Sequence, residues 1–181
     1  MLIVEDGSII IGADSFLSLV DARELALKYG IDLPLDDIEA QVTLRNGYVL
    51  LLQEEKNLQG KRVSADQTGI FPREDVLKNC FELAEDAIPQ EIKLAQLYAT
   101  DAISKGASIN NIDDGQRLKS YSIDGVISET YQDGSSASTN ASIQGVENQL
   151  YPFTKAGLSS ANCGGIGGFG ELNANNFGYL G

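Results

Sequence analysis

The chain has 181 residues, 43% of them hydrophobic, enough for one domain with appendages or for two very small domains. Its 13 Lys and Arg face 26 Asp and Glu, and the net charge of −13 argues against a general nucleic-acid binder, because phosphate binding needs cations. With no histidine, the chain lacks Ser-His-Asp and Cys-His nucleophilic machinery and every His-containing metal site.

Cys80 and Cys163 lie far apart, one in a core-like context and one in a Gly-rich stretch, so neither a disulfide framework nor a CxxC redox site is indicated. Reduced thiols are expected. No apolar run reaches membrane-spanning length and the start lacks a cationic leader, so the reading is a soluble protein made in the cytoplasm, with no membrane partner.

Taken in order, two apolar stubs, Met1 to Val4 and Ile9 to Ile11, flank the turn signal Glu5-Asp6-Gly7-Ser8. Ser18 followed by Asp21 is a capping pattern that predicts a first helix over 18–30, with Leu19, Ala22, Leu25, Ala26 and Tyr29 inward. Asp36 or Asp37 caps a second helix running to about Glu54. Asn46-Gly47 interrupts it and suggests a type I′ hairpin as the rival, but 41–54 lacks strict alternation. Residues 58–73 read as irregular, and 74–83 as a short helix or folded loop.

The clearest helix is 88–106. Pro89 suits its first turn, Glu91 sits at the positive end of its dipole, and Gly106 supplies the left-handed stop. Ile92, Ala95, Ala99, Ala102 and Ile103 recur at helical spacing, and the alanines let another helix approach closely. Beyond it, 118–123 and 126–131 alternate around Asp124-Gly125, a hairpin signal. Residues 132–142 read as flexible and 143–153 as a short helix. The stretch 155–181 is Gly- and Asn-rich with spaced apolar residues, either a solubilising tail or a docking arm whose contacts would be Phe169, Leu172, Phe177, Tyr179 and Leu180.

The fold class is therefore mainly α, a small helical bundle with a β-hairpin and an extended C-terminal arm. The domains are a helical core over 1–117, a hairpin and short helix over 118–154, and the arm over 155–181. No catalytic constellation, cofactor site or metal site emerges, and the chain reads as a non-enzyme. Adjacent acids such as Asp36-Asp37 point apart, Asn110 to Gly115 lacks the alternating ligands of a calcium loop, and the glycines after Cys163 lack the strand and helix of a phosphate loop. Lys61, Arg62 and Arg73 are candidate contacts for phosphate or an acidic partner, or else ion pairs with the abundant carboxylates.

Several landmarks in fixed order carry a resemblance: Ile3-Val4-Glu5-Asp6-Gly7-Ser8, Ala13-Asp14-Ser15-Phe16-Leu17-Ser18, Gly60-Lys61-Arg62-Val63-Ser64-Ala65-Asp66-Gln67, Phe71-Pro72-Arg73, and Ile88-Pro89-Gln90-Glu91-Ile92-Lys93. Over about residues 2–153 the chain resembles a family of tailed-phage proteins often described as DnaT-like single-stranded-DNA-binding proteins, whose architecture looks like that of head-to-tail connector (adaptor) proteins. It departs in having Phe71 where Trp is common, and in its tail. The resemblance implies a virion structural protein at the portal vertex. Its partners would be the portal protein, tail or nozzle proteins, further copies in a dodecameric ring, and double-stranded DNA sliding past an acidic wall. The alternative is a single-stranded-DNA-binding replication accessory contacting DNA through Lys61, Arg62 and Arg73.

Overall fold

A computed structural model describes residues 1–107, 121–123, 127–129 and 137–161. The elements are α1 (Leu19–Tyr29), α2 (Asp37–Leu52), β1 (Lys61–Arg62), β2 (Arg73–Glu74), β3 (Leu77–Lys78), β4 (Phe81–Glu82), α3 (Gln90–Ser104), β5 (Tyr121–Ile123), β6 (Ile127–Glu129), α4 (Ala137–Leu150) and α5 (Lys155–Ser160). Single-turn 3-10 segments follow α2 (Gln53–Asn57) and α4 (Tyr151–Phe153). The strands pair antiparallel as β1–β2, β3–β4 and β5–β6. The molecule is mainly α, as the periodicity predicts.

Local chemistry sets the helix ends. Ser18 Oγ accepts the Asp21 N–H at 3.1 Å, and Gly30 closes α1 with φ 68°. Asp36 accepts the N–H groups of Ile38 and Glu39 at 3.0 and 2.9 Å and starts α2. That helix runs unbroken through Asn46-Gly47, so the hairpin rival fails. Gly47 sits where α2 crosses α3, and a Cβ there would meet Thr100 Oγ1 at 2.4 Å and the Gln96 carbonyl at 2.9 Å. The glycine serves close approach, not a turn.

α3 is the axis of the core. One cluster joins it to α1 and α2 through Leu94, Leu97, Leu17, Ala22, Ala26 and Leu44. The other gathers Ile92, Ala95 and Ala99 with Phe16, Leu51, Phe71 and, from the far end of the chain, Val146, Leu150 and Phe153. The Phe71 and Phe153 rings meet edge to face at 5.4 Å. Gln96 is fully buried between the clusters. Its side chain accepts the Phe16 N–H at 2.8 Å and donates to Ser15 Oγ and the Leu44 carbonyl, both at 2.9 Å.

The structure also departs from the sequence reading. Part of 58–73, expected to be irregular, contributes the β1–β2 pair, which brings Arg62 opposite Arg73. The stretch 74–83 is a hairpin, β3–β4, turned by Asn79 and Cys80 with φ 52° and 68°. Cys80 is disulfide-bonded, which corrects the reduced thiol expected for it. α4 begins at Ala137, inside the stretch read as flexible. Packing overrides composition there, with Gly145 against the Tyr98 ring and the Ser142 hydroxyl donating to buried Asp101. The first residues assigned to the arm form α5, capped by Thr154 accepting the Gly157 N–H at 3.0 Å. Phe169, Leu172, Phe177, Tyr179 and Leu180 lie outside the described residues, as does the turn of the 118–131 hairpin.

Candidate nucleic-acid interface

Two segments far apart in sequence are stitched into one surface. Leu58 and Thr154 form an antiparallel bridge, and the Gln59 N–H donates to the Phe153 carbonyl at 2.8 Å. The Gln59 side-chain amide donates to the carbonyls of Pro152 and Thr154, both at 3.1 Å. Lys155 Nζ reaches the Lys56 carbonyl at 2.9 Å. Residues 53–62 and 151–160 thus lie side by side. Together they carry Lys56, Lys61, Arg62 and Lys155 against Glu54 and Glu55, an excess of two positive charges in a chain of net charge −13.

The sequence-predicted cations meet different fates on this seam. Arg62 grips Glu55 with both arms, Nε and Nη2, each at 2.6 Å, and gives Nη1 to the Gln67 carbonyl. This bond, from a planar fork matched to a carboxylate, holds the Glu55 carboxyl below its ordinary range. Arg73 is buried and donates to the carbonyls of Gln59 (2.7 Å), Gly60 (2.9 Å) and Ile70 (3.2 Å), with Glu55 at 3.4 Å. Burial pulls its guanidinium down from the ordinary range, and Glu55 opposes that. Lys61 is exposed and pairs with Glu74 at 3.1 Å. The structure therefore brings Arg62 and Arg73 together on one carboxylate and turns Arg73 away from solvent.

Sequence reasoning passed over the lysines that remain. Of the 13 basic residues, Arg117 and Lys119 lie outside the described residues; of the other eleven, seven form ion pairs. Lys28, Lys56, Lys93 and Lys155 have no carboxylate partner among the described residues. Lys28 and Lys93 line an open cleft of about 570 Å³ between α1 and the start of α3, but Asp21 and Glu24 line it too and balance them. Lys56 and Lys155 are both exposed on the seam, which also carries Tyr151 at 48% exposure. The β3–β4 hairpin packs against the same 3-10 turn, with Lys78 Nζ 5.6 Å from the Phe153 ring centre, and carries Phe81 at 77% exposure. Ammonium groups without a carboxylate and exposed rings on one surface are what a single strand needs, charge for its phosphates and π-faces for its bases. No local signal joins Lys56 to Lys155.

Among the described residues no cluster of three or more His, Cys, Asp or Glu could hold a metal, and no helix is long and apolar enough to cross a membrane. No curated protein and no solved structure matches the chain. A family model described as "Putative DnaT-like ssDNA binding protein" matches residues 1–166. That finding overturns the connector reading, together with its portal, tail and nozzle partners, its dodecameric ring and its double-stranded DNA passing unbound. Nothing in the comparisons supports a connector, and the acidic net charge that favoured it is an average that conceals the positive seam. The match spans nearly the whole chain, and the protein belongs to the DnaT-like single-stranded-DNA-binding protein family.

Proposed function

We propose that this protein is a non-enzymatic single-stranded-DNA-binding protein whose strand lies along the seam between residues 53–62 and 151–160. The observation that carries the reading is the pair Lys56 and Lys155, joined through the Lys56 carbonyl at 2.9 Å, with no carboxylate partner among the described residues, on a surface whose second segment also carries the exposed Tyr151 ring. The two ammonium groups neutralise successive phosphates, and Tyr151 offers a face on which a base stacks. Such binding tolerates any sequence, because every base has a π-face. The high net negative charge elsewhere repels the strand from the rest of the surface and so confines it to the seam.

The test is fluorescence anisotropy of a labelled oligothymidine of about 20 nucleotides at about 50 and 200 mM salt. Binding should weaken with salt, and K56E/K155E should weaken it about tenfold or more. Neutralising two phosphate contacts corresponds to about 1.4 units of the logarithmic salt slope for a single strand. Tyr151→Ala should weaken binding with little change in that slope. Affinity and slope unchanged in K56E/K155E would remove the seam as the binding surface.

A further inference from the structure

On the N-terminal side of the molecule, away from the residues of the seam, α1 and α2 expose an apolar face that none of the described residues covers. Val20 and Leu27 stand seven residues apart on α1, hence on one side of it, at 67% and 86% exposure. Leu35, just ahead of α2, and Ile38, in its first turn, are 93% and 73% exposed, and Val42 continues the row one turn on. The two rows are contiguous. Arg23, between Val20 and Leu27, donates to the Leu35 carbonyl at 2.9 Å, and Val20 and Gln41 line one apolar groove with Leu2, Val4 and Leu19.

The rim of this face has a sign. Asp21, Glu24, Asp36, Asp37 and Glu39 surround it, against Arg23 and Lys28, and Arg23 is already taken by Asp37 at 2.7 Å. A second copy would set acid against acid, and an anionic membrane would be repelled in the same way. A helix with an apolar stripe and Lys or Arg on its flanks satisfies both the groove and the rim. Its i, i+3, i+4 and i+7 side chains fit a row about 10 Å long, the length of α1 between Val20 and Leu27.

We propose that the α1–α2 face docks a basic amphipathic helix of a partner protein. The site is separate from the strand-binding seam, so either proposal can fail without the other. The test uses the full chain and three synthetic peptides of about four turns: a Leu/Lys amphipathic helix, a scrambled peptide of the same composition, and a Leu/Glu amphipathic helix. Titration calorimetry should show the Leu/Lys helix binding well above the scrambled peptide and the Leu/Glu helix not binding. The exposed-site variant L27S/L35S/I38S should lose about tenfold or more of that affinity while its helical circular dichroism and its oligothymidine affinity stay unchanged. Equal binding of the amphipathic and scrambled peptides, or full affinity in the triple variant, would overturn the proposal. So would sedimentation showing a dimer that the same substitutions dissolve, or vesicle binding lost with them, since the face would then belong to a second copy or to a bilayer.

Discussion

The arginines of the seam point inward and its lysines point outward. Arg73 spends its fork on three backbone carbonyls and Arg62 closes both arms on Glu55, whereas Lys56 and Lys155 are exposed and pair with no carboxylate among the described residues, Lys155 giving one bond to the Lys56 carbonyl. The difference follows from the side chains themselves. A planar, weakly hydrated guanidinium can be desolvated and still fill its donors; a compact, strongly hydrated ammonium on a flexible stem is better left at the surface. One set of cations builds the surface and the other set is available on it.

If that division holds, the inward residues should set stability and the outward ones should not. Arg73→Ala should have the largest effect, about 3–5 kcal/mol in a urea titration, because it leaves the carbonyls of Gln59, Gly60 and Ile70 without their donor in a buried site, while Glu55 keeps Arg62. Arg73→Lys should recover only part, since one ammonium cannot reach the carbonyls of Gln59, Gly60 and Ile70 together. Gln96→Leu comes next, at about 2–3 kcal/mol, from leaving the Phe16 N–H buried and unpaired and removing the donor that Ser15 Oγ and the Leu44 carbonyl share. Gly47→Ala should cost about 1–3 kcal/mol by forcing α2 from α3, read as a lower thermal midpoint.

Glu55 gives a smaller effect with a pH signature. Its carboxyl is held below the ordinary value of 4.5, the hydrogen bond from Arg62 outweighing partial burial. A lowered folded value means its contribution is complete above pH 4.5 and fades as pH falls through that lower value. Glu55→Gln should therefore flatten the loss of stability as pH falls below 4.5, relative to the wild type. K56E/K155E should change stability least, within about 0.5 kcal/mol, while its oligothymidine affinity falls. A strongly destabilised double variant would break the division between builders and binders.

Much of the fold was legible because it rests on local chemistry. Ser18 and Asp21, Asp36 ahead of α2, and the alanine stripe of α3 announce themselves within a few residues. What was not legible depends on distant partners. Gln96 reads as an ordinary polar residue until Phe16, Ser15 and Leu44 arrive around it. Gly47 reads as a turn until Thr100 crosses it. Glu5 looks like half of a surface acid pair, but it is fully buried and accepts the N–H groups of Gly7, Ile9 and Ile10 at 2.8, 3.1 and 2.9 Å. The candidate site suffered most. The compact Gly60-Lys61-Arg62 cluster drew attention, yet Glu55 lies one turn and a connector upstream and claims Arg62. Net charge misled for a related reason, because a sum over the chain says nothing of where its few positive residues gather.

The seam also ties function to the order in which the chain folds. Lys155 meets the Lys56 carbonyl across 99 residues, so closing this contact costs more chain entropy than any of the local helix turns. α1, α2 and α3 can each begin to form as they leave the ribosome, and residues 53–62 can pair early with 73–77, but their contacts with 151–160 must wait for that segment to be made. A nascent chain therefore carries its arginines and lysines on an unfinished edge. The seam is complete only when α5 docks, so if it holds the strand as proposed, DNA binding should require residues 151–160 to be in place.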